Sequence, residues 1–546
     1  MTGPAAGRPA ADALAPLAGT GELTKLAIRR DRVFLPAWLY VLVIIAVSGG
    51  YGVRVVYRTA ASRARLAATV RADPALSFLY GQLHGSSLGA IASWRYLSYA
   101  ALTAGLMSVF LVVRHTRADE ESGMLDLVRA TAVGRHATLM VAMLLALLVN
   151  LLAAGLTTAV LTVSGLPAAG AAAFGLAEAG CGLVAAAFAV IAAQISGTAR
   201  GARGLAIVAL AVAFLLRAIG DADVRHGGQW VTSLTPIGWA ELTRPFAGDR
   251  WWMLAVPLTA TAAGMGAGAV LAAHRDAGAG LMQPRPGRAT ASRWLRTPTG
   301  LAWRLERAGL AGWAAGFLAG GLAIGVLAKN IGQVVGKTGG VDTAFMRIAG
   351  EHALTNAYLA ACTSLVGLVA AGYGVAAVLR VRAEETAQRA DPVLATATGR
   401  LRWAGSHLWV AAIGTAVVLL AGGAGMGLTY GVSVSAPGSQ VARMIGAALA
   451  QWPAAFCVAA VGVAAVGIIP RWSVAAAWAA LGICGLIGVV GPALNLSQAV
   501  LDISPFAHVP RLPGGAFSTI PLTWLTVIAA ALITAGLAGL RKRDIG

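Results

Sequence analysis

Unbroken apolar runs of about 20 residues recur along this chain, and they decide its fold class. A helix rises 1.5 Å per residue, so a run of that length crosses the hydrocarbon core of a bilayer. In lipid every backbone N–H and C=O must find an internal partner, which leaves helix bundles and closed barrels. Barrel strands alternate apolar and polar residues over about ten positions, and these runs do not alternate. Charged residues make up only 12% of the chain, against roughly 25% in a soluble domain. The mean hydropathy is +0.74. An all-α polytopic membrane protein follows. Twelve spans are expected, at about 34–56, 91–113, 138–164, 169–197, 205–219, 252–273, 310–328, 356–379, 407–429, 443–469, 474–495 and 521–540. The fifth is short, and its outer end either tilts or continues towards Asp221.

The formal charge of +20 invites a nucleic-acid reading. The basic residues argue against it, because they sit in short clusters between apolar runs, as the positive-inside rule places them. Arg29 and Arg30, Arg114 and Arg117, Arg200 and Arg203, the stretch Arg275 to Arg307, the stretch Arg380 to Arg402, and Arg541 to Arg543 fall in alternate loops. The opposite loops are sparser, except the first, which carries Arg58, Arg63, Arg65 and Arg71. Both termini are therefore expected in the cytoplasm of a multi-pass protein, with the lipid bilayer as its surroundings and no nucleic acid. Residues 1–21, rich in Ala, Gly and Pro, read as a disordered leader rather than a signal peptide. Cys181, Cys362, Cys457 and Cys484 all lie inside apolar runs and read as small core residues.

The chain repeats itself. Residues 117–135 (RADEESGMLDLVRATAVGR) align without a gap on residues 382–400 (RAEETAQRADPVLATATGR), with 10 of 19 positions identical. Leu26 to Trp38 matches Leu301 to Trp313, Thr235-Pro236 matches Ser504-Pro505, and Arg275-Asp276 matches Arg543-Asp544. Offsets near 270 residues define two tandem six-span halves, 22–273 and 298–546, joined by a Pro- and Arg-rich linker at 274–297. An even number of spans makes the halves parallel.

Three repeated features carry candidate function. The segments after the second and eighth spans open on carboxylates and end on Gly-Arg, as a capped surface helix would. Arg117, Asp119, Glu120, Glu121, Asp126 and Arg135 mark the first, and Arg382, Glu384, Glu385, Asp391 and Arg400 the second. Each reads either as a solvated connector or as a lever pushed by a cytoplasmic partner. Ahead of each half, Lys25, Arg29 and Arg32, and again Arg304 and Arg307, line one face of a basic amphipathic helix suited to the membrane interface, with Trp303 as an anchor. The outer segments around Pro236 and Trp239, and around Pro505 and His508, read as re-entrant gates or as interfacial loops.

Inside the spans, Glu178 is the deepest charge, and Arg95 and Arg217 are placed to snorkel. The run from Gly332 to Thr338 resembles a phosphate loop but is one residue short between its glycines. No nucleophile, HExxH or metal-ligand grouping is present in the sequence, so no catalytic residues and no metal are expected.

The leading basic helix, the two acidic Arg-flanked loops, the TPIGW and SPFAHVP segments and the closing RKRDIG together resemble ABC exporter permeases of the type-2 class. The likeness is to the fused double-length forms credited with export of polyketide antibiotics (tetronasin-type). That resemblance implies a bacterial cytoplasmic-membrane subunit without an ATPase motif of its own. It also implies coupling helices near 118–132 and 383–397, and a separate ABC ATPase, present as a dimer, that holds the ATP and Mg. A small lipophilic compound would be the cargo. A proton-coupled secondary multidrug exporter is the alternative. It needs intramembrane carboxylates, and Glu178 is a thin supply.

Overall fold

A computed structural model describes residues 18–72, 74–129, 133–134, 137–222, 227–275, 280–282, 290–328, 342–490 and 497–543. The leader before residue 18, Arg135 and the Gly332–Thr338 run lie outside the described residues. The chain forms two compact units, Met1–Pro286 and Gly287–Gly546.

In the first unit, α1 (Thr20–Arg30) precedes α2 (Phe34–Val56), and α3 (Ala60–Ala72) and α4 (Pro74–Tyr80) form the following loop. Next come α5 (Leu88–Glu121), α6 (Met124–Arg129), α7 (Ala137–Val163), α8 (Ala168–Ile195) and α9 (Ala199–Ala222). A short α10 (Pro236–Leu242) then leads into α11 (Trp251–Ala273). The second unit holds α12 (Pro298–Ala328), α13 (Thr355–Thr386), α14 (Arg400–Ser433), α15 (Pro437–Ile468), α16 (Ser473–Val490) and α17 (Ile520–Lys542). Eleven helices among the described residues are long and apolar enough to span a bilayer, and Ser473–Gly488 is a shorter apolar one where a twelfth was expected.

Helix α8 is the axis of the first unit. It is rich in Ala and Gly, so α5, α7 and α11 approach it closely. Asn150 of α7 is fully buried and donates to Ser108 Oγ of α5 at 2.8 Å, a polar tie of the kind that joins helices in lipid. In the second unit α12 packs along α14, and α15 along α17. Gly467 and Gly536 set the second of these contacts, since a Cβ on Gly467 would lie 1.9 Å from the Gly536 carbonyl oxygen.

The fifth span continues to Asp221, one of the two forms expected for its outer end: it is the full helix Ala199–Ala222. One expectation is corrected. The leading helix of the second half is no separate element, because α12 runs unbroken from Pro298, whereas Asp31 to Val33 interrupts the first copy. Trp303 is half-buried and packs on the core of the second unit.

Candidate functional site

The acidic segments do not form free surface helices. The helix of the second span runs on through a π-turn, Arg114–Ala118, so that Asp119, Glu120 and Glu121 occupy its C-terminal end. In the second unit Arg380–Thr386 continues the eighth span in the same way. Carboxylates at that end oppose the helix dipole, and each is compensated by a cation or a backbone N–H from elsewhere in its unit.

Glu120 shows how this is done. Its side chain is only 6% exposed. Arg117, one turn earlier, donates to Oε2 at 2.8 Å. Arg275, just beyond α11, donates to both carboxylate oxygens at 2.9 Å and to Gln194 Oε1 at 2.6 Å. Arg117 also donates to the Gly197 carbonyl at 2.6 Å, in the turn before α9. Glu121 Oε2 accepts the Ala199 N–H at 2.9 Å and so caps the start of α9.

The second unit repeats the clamp with the residues expected from the repeat. Glu385, 3% exposed at its side chain, accepts from Arg382 at 3.1 Å and from Arg543 at 2.6 and 2.7 Å. Arg543 follows α17 as Arg275 follows α11. Its carbonyl accepts from Arg400 at 2.9 Å, across the start of α14. In both units an Arg–Glu–Arg set thus ties the extension of one span to the end of the unit's last span.

A second repeated set lies alongside. Asp31 is fully buried against His115 and 2.9 Å from Arg114 Nε. Arg30 reaches Asp119 at 2.6 Å. In the second unit Glu306 pairs with Arg380 at 3.1 Å, and Arg380 with Glu384 at 3.4 Å. Arg389 adds contacts to Glu384 at 2.9 and 3.2 Å. Asp31 and Glu306 were not singled out from the sequence, although they occupy the same position of the Leu26–Trp38 repeat.

Each extension ends in a left-handed turn at the same repeat position: Gly123 at φ +74° and Gln388 at φ +53°. These residues stop the helices. Gly399, expected to do so, does not: it stands in extended backbone ahead of α14. Beyond the turns, Ser122, Met124 and Asp126 are exposed in one unit, and Ala387, Arg389 and Asp391 in the other. Of the leading basic residues, Lys25 pairs with Glu22 at 2.9 Å, while Arg29, Arg32, Arg304 and Arg307 are exposed.

At the opposite ends of the spans the two units diverge. Pro236 opens α10, with the Thr235 hydroxyl capping it by accepting the Gly238 N–H at 3.0 Å. Pro236, Ile237 and Gly238 are buried, and Trp239 donates to the Ser233 carbonyl at 2.6 Å. Its counterpart is a single 3-10 turn, Pro505–His508, with His508 exposed against the Asp502 carbonyl at 2.9 Å. Arg217 does not snorkel. It is fully buried, 3.5 Å from Asp221 and 3.4 Å from Glu241, with its guanidinium 4.5 Å from the Phe214 ring centroid. Glu241 also accepts from Ser98, and Asp221 from Thr232 at 2.9 Å. Beside this cluster a cavity of about 20 Å³, room for one water, is lined by Tyr80, Gln82, His84, Trp94, Glu241 and Arg244. Burial against this cavity, then the charges of Arg244 and Arg250, hold His84 down to about 4. Glu178 is fully buried in α8 and accepts from Thr157 at 3.1 Å.

A repeat whose charged residues meet the same partners in both units points to one duplicated ancestral half. A protein of Mycobacterium tuberculosis, multidrug efflux system permease protein Rv1217c, is 39% identical to this chain over 528 residues, covering 96% of this chain and 95% of the relative. The chain belongs to this family of efflux permeases. The family described as multidrug efflux system permease Rv1217c, C-terminal domain, matches residues 295–541, from just ahead of α12 to the last turn of α17. The relative covers nearly the whole chain, and the family match takes in Arg382 and Glu385 of the second clamp.

Proposed function

We propose that this chain is the membrane subunit of an ATP-driven exporter that expels a lipophilic drug or antibiotic from the bacterial cytoplasm, powered by a separate dimeric ATPase. The ATP and Mg belong to that partner. The repeated Arg–Glu–Arg clamp carries the reading. A force applied at the exposed turn after Glu121 or after Thr386 passes through Glu120 to Arg275, or through Glu385 to Arg543, and so reaches the unit's last span. Buried ion pairs contribute little net stability but fix geometry, which is what a lever requires. In this reading both termini and both clamps face the cytoplasm, in keeping with the bias of Arg and Lys.

The narrower likeness to exporters of polyketide antibiotics guides the choice of first substrates. A proton-coupled exporter is the competing mechanism, and it rests on Glu178, whose Oε1 is buried without a hydrogen-bond partner among the described residues. Purification of the tagged chain from its native membrane in mild detergent separates the two. Co-purification of a stoichiometric ATPase, cross-linked through Cys placed at Ser122 or Gln388, supports the proposal. Efflux driven by a proton gradient with no such ATPase, and lost in Glu178→Gln, overturns it.

A further inference from the structure

The first outer loop is the exception to the charge bias, and its structure gives that exception a use. Helix α2 ends at Val56 and the chain turns sharply at Tyr57, with ψ +57°, before α3 begins at Ala60. Arg54, Arg58 and Arg63 gather at this elbow. Arg58 Nε donates to the Val55 carbonyl at 3.2 Å. Arg63 donates to the Tyr57 carbonyl at 3.2 Å and to the Arg58 carbonyl at 3.3 Å. Arg54 lies against the Ser164–Leu166 turn, its Nη2 2.6 Å from where a Cβ on Gly165 would stand.

Backbone carbonyls thus position the Arg58 and Arg63 guanidinium groups, and none of the three arginines has an ion pair among the described residues. The sequence offers them little: no Asp or Glu occurs from Arg32 to Ala72. Tyr51, Val55 and Val56 of the same helix end are 47%, 61% and 67% exposed. A helix of this hydropathy presents such side chains to lipid, so the arginines stand where an apolar, lipid-facing surface meets the headgroup layer.

We infer that Arg54, Arg58 and Arg63 form a binding site for the phosphate of an anionic phospholipid headgroup, whose acyl chains lie along Tyr51, Val55 and Val56. Guanidinium forks match phosphate oxygens. The adjoining apolar surface favours a lipid over a free anion. The proposed topology decides only which leaflet supplies the lipid, the outer one; the site itself does not depend on ATP coupling.

The test uses the full chain in mild detergent, titrated with phosphatidylglycerol, cardiolipin or phosphatidylcholine and read by native mass spectrometry. The wild type retains the two anionic lipids at least tenfold more strongly than phosphatidylcholine. Each arginine near a membrane surface contributes about 1 kcal/mol, or about fivefold, so R54Q/R58Q/R63Q loses on the order of 100-fold in phosphatidylglycerol affinity. R58Q alone loses about fivefold, and it serves if the triple variant does not fold, since its bond to Val55 is a surface one. Equal retention by wild type and variants overturns the site. Displacement of the bound lipid by millimolar inorganic phosphate overturns the lipid as its ligand.

Discussion

Arg275 and Glu120 lie 155 residues apart in the chain and meet in a two-pronged ion pair, both N···O distances being 2.9 Å. Arg543 and Glu385, 158 residues apart, meet in the same way through one nitrogen. Each pair fastens the extension of one span to the end of its unit's last span.

Arg275→Gln takes the two-pronged partner from Glu120 while Arg117 stays, at a cost of about 1–3 kcal/mol, the usual penalty for depriving a buried polar group of a partner. A double-mutant cycle with Glu120→Gln measures the coupling, expected at roughly 0.5–3 kcal/mol. Denaturation in detergent checks it. A coupling near zero would mean that the pair is incidental. Charge reversal at Glu120 or Glu385 is expected to abolish transport while the protein still inserts, as drug accumulation in cells would reveal.

Gln388 adopts φ +53° where its repeat partner Gly123 adopts φ +74°. A residue with a Cβ pays about 1–2 kcal/mol in that region. Gln388→Gly is expected to stabilise the second unit by about 1 kcal/mol, less what glycine adds to the freedom of the unfolded chain. Gly123→Gln should destabilise the first unit by a similar amount. Melting temperatures of the two variants should move in opposite directions.

Arg217 is the sole cation in contact with Asp221 and Glu241 among the pairs described. Arg217→Ala leaves both carboxylates buried and facing each other, at a cost of about 3–5 kcal/mol. The variant R217M/D221N/E241Q should recover most of that loss. Failure to recover would show that packing of the long side chain, rather than charge, holds the site.

His84 lies outside the spans and is held down to about 4, against roughly 6.5 in an unfolded chain. Below pH 6.5 the unfolded state therefore binds a proton that the folded state refuses. Stability from this residue is fully present above pH 6.5 and is lost as pH falls from there towards 4. His84→Asn should flatten that part of the stability profile and leave the range above pH 7 unchanged.

The sequence exposed the members of the clamps without showing that they touch. Arg275 and Arg543 were visible as a repeated Arg-Asp pair, and Glu120 and Glu385 as a repeated acid, because duplication preserved them. Their meeting depends on α11 and α17 returning beside the extended ends of α5 and α13, which no local pattern encodes. Asp31 and Glu306 escaped notice for the opposite reason: Asp and Glu differ in identity while serving the same position. Arg217 was misread because a single Arg near a span end has the same sequence signature whether it snorkels or is buried. Its two acidic partners lie 4 and 24 residues further along the chain, and the second is brought to it by α10.

What the sequence determined by itself was the class of fold, the approximate places of most spans and the internal repeat. Those follow from period, length and identity, which are properties of the chain read in order. The tertiary structure alone decided which charges are buried and what they hold, where the helices stop, and how the segments around Pro236 and Pro505 came to differ. These depend on contacts between residues far apart in the chain, and on a desolvation cost that arises only when such residues are brought together away from water.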